Sequence, residues 1–179
     1  MAFPDLSQHE PLIVLGIDPG TLAMGFGVVG RRGRTLIEID HGVFRPPRGD
    51  AIEKRLLHLA NALETLLEHH RPHVVSLEEA FLRNNVQSAL RLGESRAVVM
   101  LAATRLGIPV VQYATAVAKK SVCGHGGATK EQVRDMVRRE LSLAAPLSSH
   151  DATDALALAL CLLADPRIDP RFRASIDPS

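Results

Sequence analysis

Leu12-Ile-Val-Leu-Gly-Ile-Asp-Pro-Gly-Thr21 is the stretch that decides the fold. Leu12 to Ile17 is a short apolar run made almost entirely of β-branched residues and Leu. That composition suits a strand buried on both faces, in the middle of a sheet. The run stops at Asp18-Pro19-Gly20. Pro19 cannot donate to a ladder, and Gly20 permits a tight reversal. One carboxylate is thereby placed at the rim of a rigid central strand. An acid held there is costly unless a positive charge sits against it.

The 179 residues are enough for one domain with a sizeable core. Hydrophobic residues make up 46% and aromatic ones 3%, with no Trp and one Tyr, so the core must be aliphatic. The formal charge of +1 excludes no partner, although many nucleic-acid binders are strongly basic. Cys123 and Cys161 form neither a zinc spacing nor a disulfide framework, which points to a reducing cytoplasm. No signal peptide opens the chain, and no apolar run has transmembrane length.

Residues 1–11 read as a flexible extension and residues 165–179 as a disordered tail. After the first strand, Met24 to Gly30 and Thr35 to Phe44 read as two more, with a turn at Arg31-Arg32-Gly33-Arg34. Asp50 reads as the N-cap of an amphipathic helix that carries Ile52, Leu56, Leu59, Leu63 and Leu66. Val74 to Leu77 is a short strand with Glu78-Glu79 at its end. A helix over Val86 to Arg105, a strand over Val110 to Tyr113 and a helical piece over Ala116 to Val122 follow. Thr129 caps another helix, and Ser148 or Ser149 caps the last, which ends near Ala164. A three-stranded meander followed by alternating helix and strand predicts an α/β fold. Its sheet is mixed and five-stranded, with helices on both faces.

Four acids stand out. Asp18 ends the first strand and Glu78 the fourth. Asp151 and Asp154, three apart on the last helix, share one face. Carboxylates that converge from two strand ends and one helix could hold hard divalent ions such as magnesium. Two such ions about 4 Å apart serve phosphodiester hydrolysis. On composition alone Glu79 is an equal candidate to Glu78, but strand alternation sends the two to opposite faces, so only one can join the site. Asp151 and Asp154 also suit an ordinary solvated first turn of a helix.

Four blocks together resemble the RuvC family of Holliday-junction resolvases. The first is Gly16-Ile-Asp-Pro-Gly-Thr21 with Gly25-Phe-Gly-Val28. The second is Leu77-Glu-Glu-Ala-Phe81 with Asn85, Ser88-Ala89 and Leu92-Gly93. The third is Lys119-Lys-Ser-Val-Cys-Gly124 with Gly126 and Ala128-Thr-Lys130. The fourth is Asp151-Ala-Thr-Asp-Ala-Leu-Ala157. They occur in family order and span nearly all of residues 12–164.

The resemblance implies an RNase H-like nuclease domain over residues 12–164, acting as a homodimer on four-way junction DNA. It implies a two-metal site with Mg2+, or Mn2+ as a substitute, held by Asp18, Glu78, Asp151 and Asp154. Some relatives have His at the Asp151 position, so neighbouring His150 is an alternative ligand. Phe81 matches a family aromatic that stacks on a base at the crossover, a contact worth about 1–3 kcal/mol. Lys119 and Lys130 match basic residues of the DNA surface, expected to act at a distance from the metals. Lys120, Arg83, Asn84 and Asn85 are further candidates for phosphate contact. Ala114 to Glu140 carries six Lys or Arg against three Asp or Glu, a net of +3 that supports such a surface. RuvA and RuvB branch-migration proteins are the implied partners.

Three other readings share features with this one. Asp-Pro-Gly-Thr also resembles the phosphate loop of actin-like and sugar-kinase ATPases, but those need a second lobe that this length does not allow. A non-catalytic junction-binding protein and an RNase H-like relative acting in RNA processing are the other two.

Overall fold

β1 (Leu12–Asp18) lies at the centre of a five-stranded sheet. The computed structural model describes residues 11–79 and 86–165. The other strands are β2 (Met24–Arg32), β3 (Thr35–Phe44), β4 (Val74–Glu78) and β5 (Val110–Tyr113), in the order β3-β2-β1-β4-β5. β1–β2 and β2–β3 are antiparallel, whereas β1–β4 and β4–β5 are parallel. The predicted mixed α/β sheet is therefore the observed one. A short turn suffices for the antiparallel pairs, and helical crossovers serve the parallel ones.

Strand alternation sends β1 side chains to two cores. Leu15 and Ile17 join Val75 and Leu77 under α1 (Ile52–His70) and α2 (Val86–Arg105), where they meet Leu59, Leu63, Val99 and Ala103. Leu12 and Val14 join Val29 and Val74 on the other face. That face is covered by α3 (Thr115–Cys123), α4 (Lys130–Glu140) and α5 (His150–Ala164). α5 is buried on nearly all sides, as a helix rich in Ala and Leu without a polar face must be.

Two glycines set how closely α5 lies on the sheet. A Cβ at Gly16 on β1 would stand 1.9 Å from the Ala155 carbonyl oxygen. A Cβ at Gly25 on β2 would stand 2.1 Å from that of Asp151. Only a missing side chain permits such an approach. Ser76, buried in β4, donates to the Leu158 carbonyl at 2.7 Å and ties the same helix to the sheet's other half.

Thr129 caps α4 in a reciprocal capping box with Gln132, and Ser149 caps α5. Asp50 does not cap α1. The N-cap is Ala51, with no side-chain cap bond, while the Asp50 amide closes a turn onto the Pro47 carbonyl. β2 runs on through Arg32, so the hairpin turn shrinks to Gly33-Arg34, with Gly33 at φ 57°. Neither cysteine forms a disulfide. Among the described residues no helix is long and apolar enough to cross a membrane.

Candidate active site

Parallel pairing of β1 with β4 sets Ile17 beside Leu77. The next residue on each strand is an acid, so Asp18 and Glu78 leave the sheet side by side. The Glu78 side chain reaches Asp18 and, by its charge and by hydrogen bonding, favours a proton on the Asp18 carboxyl. Glu79 is exposed, and its amide donates to the Tyr113 carbonyl at 2.8 Å. Adjacent acids thus diverge at the strand end, and it is Glu78 that meets Asp18.

The third and fourth acids come from α5. Gly25 is the register partner of Asp18 across β1–β2, and the main chain of Asp151 lies directly over Gly25. The first turn of α5 is thereby laid beside Asp18, with Asp151 and Asp154 on the face towards it. Burial, followed by the charges of Glu78, Asp154 and Asp151, pushes the Asp18 carboxyl up to about 8. Burial and Glu78 also raise Asp154, against the opposing pull of Lys130, Lys119 and His150.

Basic groups stand at the edge of this cluster. Lys130 Nζ is 3.9 Å from Asp154 Oδ2, and Arg45 is 3.8 Å from Asp151 Oδ2. The expected separation of the lysines from the carboxylates therefore fails for Lys130. Its cause is the Thr129 cap, which starts α4 beside α5. Lys119 donates to the Ala128 carbonyl at 2.8 Å, which fixes the loop before that cap. Lys120 is exposed on α3, and His150 is exposed at the start of α5. Phe81, Arg83, Asn84 and Asn85 lie outside the described residues.

Sequence reasoning missed the groups that hold Glu78. Arg96 on α2 is 8% exposed, and its guanidinium donates to the Glu78 main-chain carbonyl and to Gln112 Oε1. Thr115, the first residue of α3, donates from Oγ1 to Glu78 Oε1. No local pattern marks these residues, because each lies far along the chain from Glu78. Arg45 was missed for the same reason. The surrounding Arg91-Leu-Gly-Glu-Ser-Arg96 reads as an ordinary polar helix surface and gives no hint that Arg96 is buried.

The donor set suits a hard divalent cation. It consists of carboxylate oxygens, and the like charges that drive a proton onto Asp18 are those a cation would neutralise in its place. Among the described residues no three His, Cys, Asp or Glu side chains stand at the spacing of a closed metal shell. The fit is thus one of donor chemistry and convergence, with Lys130 and Arg45 supplying countercharge at the rim.

Comparison with known proteins agrees with this geometry. The family profile described as crossover junction endodeoxyribonuclease RuvC matches residues 14–162. The crossover junction endodeoxyribonuclease RuvC of Protochlamydia amoebophila is 45% identical over 154 residues, 86% of this chain and 92% of that protein. That of Maricaulis maris is 46% identical over 148 residues, 83% and 88% of the two chains. Among solved structures, Thermus thermophilus RuvC in complex with a Holliday junction substrate superposes with a TM-score of 0.79. It has 32% identity and covers 84% of this chain and 92% of its own. The yeast mitochondrial Holliday junction resolvase Ydc2, at 15% identity and a TM-score of 0.60, shares the fold. With the family profile spanning almost the whole described sheet and α5, this chain belongs to the RuvC family of crossover junction endodeoxyribonucleases and has its RNase H-like fold.

Proposed function

We propose that this chain resolves four-way (Holliday) DNA junctions by hydrolysing phosphodiesters in strands of like polarity, leaving 5′-phosphate and 3′-hydroxyl ends. This serves homologous recombination and repair in the cytoplasm. The observation that carries the reading is the convergence of Asp18, Glu78, Asp151 and Asp154 at one end of the central strands, with Lys130 at its rim. A second reading, binding without cleavage, has less support because all four acids are present and converge.

Asp18, Glu78, Asp154 and Asp151 are the proposed holders of two Mg2+ ions, or of Mn2+ in their place, with His150 as the alternative to Asp151. Bound divalent ions supply Lewis acidity and a nucleophilic water to the phosphodiester. The chain's own residues do the rest. Asp18 sits where the other three acids meet and loses its proton when the site is loaded. Arg96 and Thr115 hold Glu78 from two directions. Lys130, Lys119 and Lys120 draw the phosphate backbone towards an otherwise anionic cluster. Phe81 is assigned to the opened crossover, and Arg83 and Asn84 to backbone phosphates.

A homodimer through α2 completes the reading, because two equivalent sites match two equivalent phosphates of a junction with two-fold symmetry. Val86, Leu90 and Leu101 on that helix are 73%, 63% and 60% exposed. Their spacing puts them on one face, and apolar side chains so exposed mark a surface made for contact. RuvA and RuvB are the proposed motor partners.

The test is cleavage of a synthetic four-way junction beside a linear duplex and a structured RNA, with and without magnesium or manganese. Metal-dependent paired nicks in the junction alone are expected. Binding without cleavage in either metal refutes the enzyme, and preferential cleavage of structured RNA transfers it to RNA processing.

A further inference from the structure

Behind the turn that follows Asp18 lies a groove of about 510 Å³. Pro19, Gly20, Thr21 and Leu22 form one wall, and Arg55 of α1 with Gln87, Ser88 and Arg91 of α2 form the other. The groove therefore begins one residue past Asp18 in the chain. The linings of the groove and the acid cluster are opposite in character. Among the described residues the groove is lined by no acid, while two guanidinium groups, an amide and two hydroxyls face it.

Arg55 carries the strongest signal. Its Nε is buried and donates to no partner in the structure, the one such side-chain atom among the described residues. A buried N–H left without an acceptor is costly, so native proteins rarely keep one without a use. An arginine is also the side chain best shaped to grip a phosphate, through two parallel N–H donors. Among the described residues Arg91 is held by Glu94, three residues on, at 3.0 Å. Such a half-exposed pair on one helix is worth little, and an incoming phosphate can displace it.

We propose that this groove binds a backbone phosphate of the DNA strand being cut, with Arg55 as its principal ligand and Arg91 as the second. The site rests on the reading of the chain as a junction endonuclease. A strand whose scissile phosphate reaches Asp18 must continue past the Pro19–Leu22 turn on one side, and the groove offers it an anion site there. Phosphate contacts of this kind fix register and orientation and carry no base sequence. The Arg55 contact therefore sets which phosphate stops at the carboxylates.

The experiment measures junction binding without divalent metal, as a function of salt, for the parent, Arg55→Gln and Arg91→Gln. Thermal melts check folding. Arg55→Gln is expected to weaken binding about tenfold and to reduce the log–log salt slope by about 0.9, one phosphate's worth. A second arm replaces single phosphates near the cleavage point by neutral methylphosphonates. The parent should lose affinity at one position, and Arg55→Gln should lose nothing more at that position. An unchanged salt slope, or identical methylphosphonate profiles for parent and variant, overturns the proposal. Should Arg55→Gln unfold, the same criteria apply to Arg91→Gln, whose side chain is at the surface. If inorganic phosphate stabilises the parent but not Arg55→Gln while both bind DNA alike, the groove serves free phosphate and the DNA site is refuted. A parent that binds no junction at all sinks the functional reading itself, a result distinct from parent and variants binding equally well.

Discussion

The Arg96 guanidinium, on α2, donates to the main-chain carbonyl of Glu78, the acid that faces Asp18. α2 also carries the exposed apolar face of Val86, Leu90 and Leu101, so one helix links the proposed dimer contact to a proposed metal ligand. Arg96→Lys keeps the charge but cannot serve both the Glu78 carbonyl and Gln112 in the same geometry. Single-turnover cleavage at saturating protein should fall about tenfold or more, because small displacements of reacting groups are costly. Junction affinity should stay within about twofold, since Arg96 is 8% exposed and its donors are taken by Glu78 and Gln112. Equal loss of affinity and rate would make Arg96 a folding residue only.

Glu78 and Glu79 give a sharp contrast. Glu78→Gln should cleave at less than about one hundredth of the parent rate, and Glu79→Gln at close to the full rate. Single-turnover assays in saturating magnesium decide it. The reverse result would mean that Glu79, not Glu78, serves the site.

Asp18 makes a prediction about stability and pH. Its carboxyl is raised from 3.8 to about 8 in the folded protein, so folding favours its protonated form. The stability it allows is complete below about 3.8 and is lost as the pH climbs through about 8. Without metal, the melting temperature should fall by a few degrees between pH 5 and pH 9 on this account. Saturating magnesium should flatten that slope, and Asp18→Asn should remove it while abolishing cleavage and sparing junction binding. A metal-free slope unchanged in Asp18→Asn would assign the pH response elsewhere.

Lys130 should serve binding and chemistry together, given its place 3.9 Å from Asp154. Lys130→Met removes a cation that holds the Asp154 carboxyl down. The acid side of the pH–rate profile should move to higher pH, and the salt slope of junction binding should drop by about one contact. Lys120→Met, at an exposed position of α3, should change the salt slope alone. Identical pH profiles for the two variants would remove Lys130 from the site.

Leu101→Glu should break the proposed dimer by placing a charge in its apolar contact. Loss of an anchor in such an interface costs about 2 kcal/mol or more, roughly a thirtyfold rise in the dissociation constant. Sedimentation of parent and variant at micromolar concentration reads this directly. A parent that is monomeric and fully active contradicts the dimer.

The order of strands and helices was legible along the chain because it rests on local patterns. The apolar run of β1 ends at a proline and glycine, the helices show their periodicity, and Thr129 and Ser149 announce two helix starts. Local pattern made Asp18, Glu78, Asp151 and Asp154 candidates, but it left Glu79 equal to Glu78, and only the resemblance to the family's four motifs separated them. Local pattern failed at Asp50, where a turn onto Pro47 moved the helix start beyond the expected cap. Tertiary structure alone decided what surrounds the acids. Parallel pairing of Ile17 with Leu77 sets Asp18 beside Glu78, and Gly25 lets Asp151 lie across the sheet from it. Arg96, Thr115, Arg45 and Arg55 take their roles from neighbours distant in sequence, because charge and hydrogen bonding act through space and leave no period along the chain.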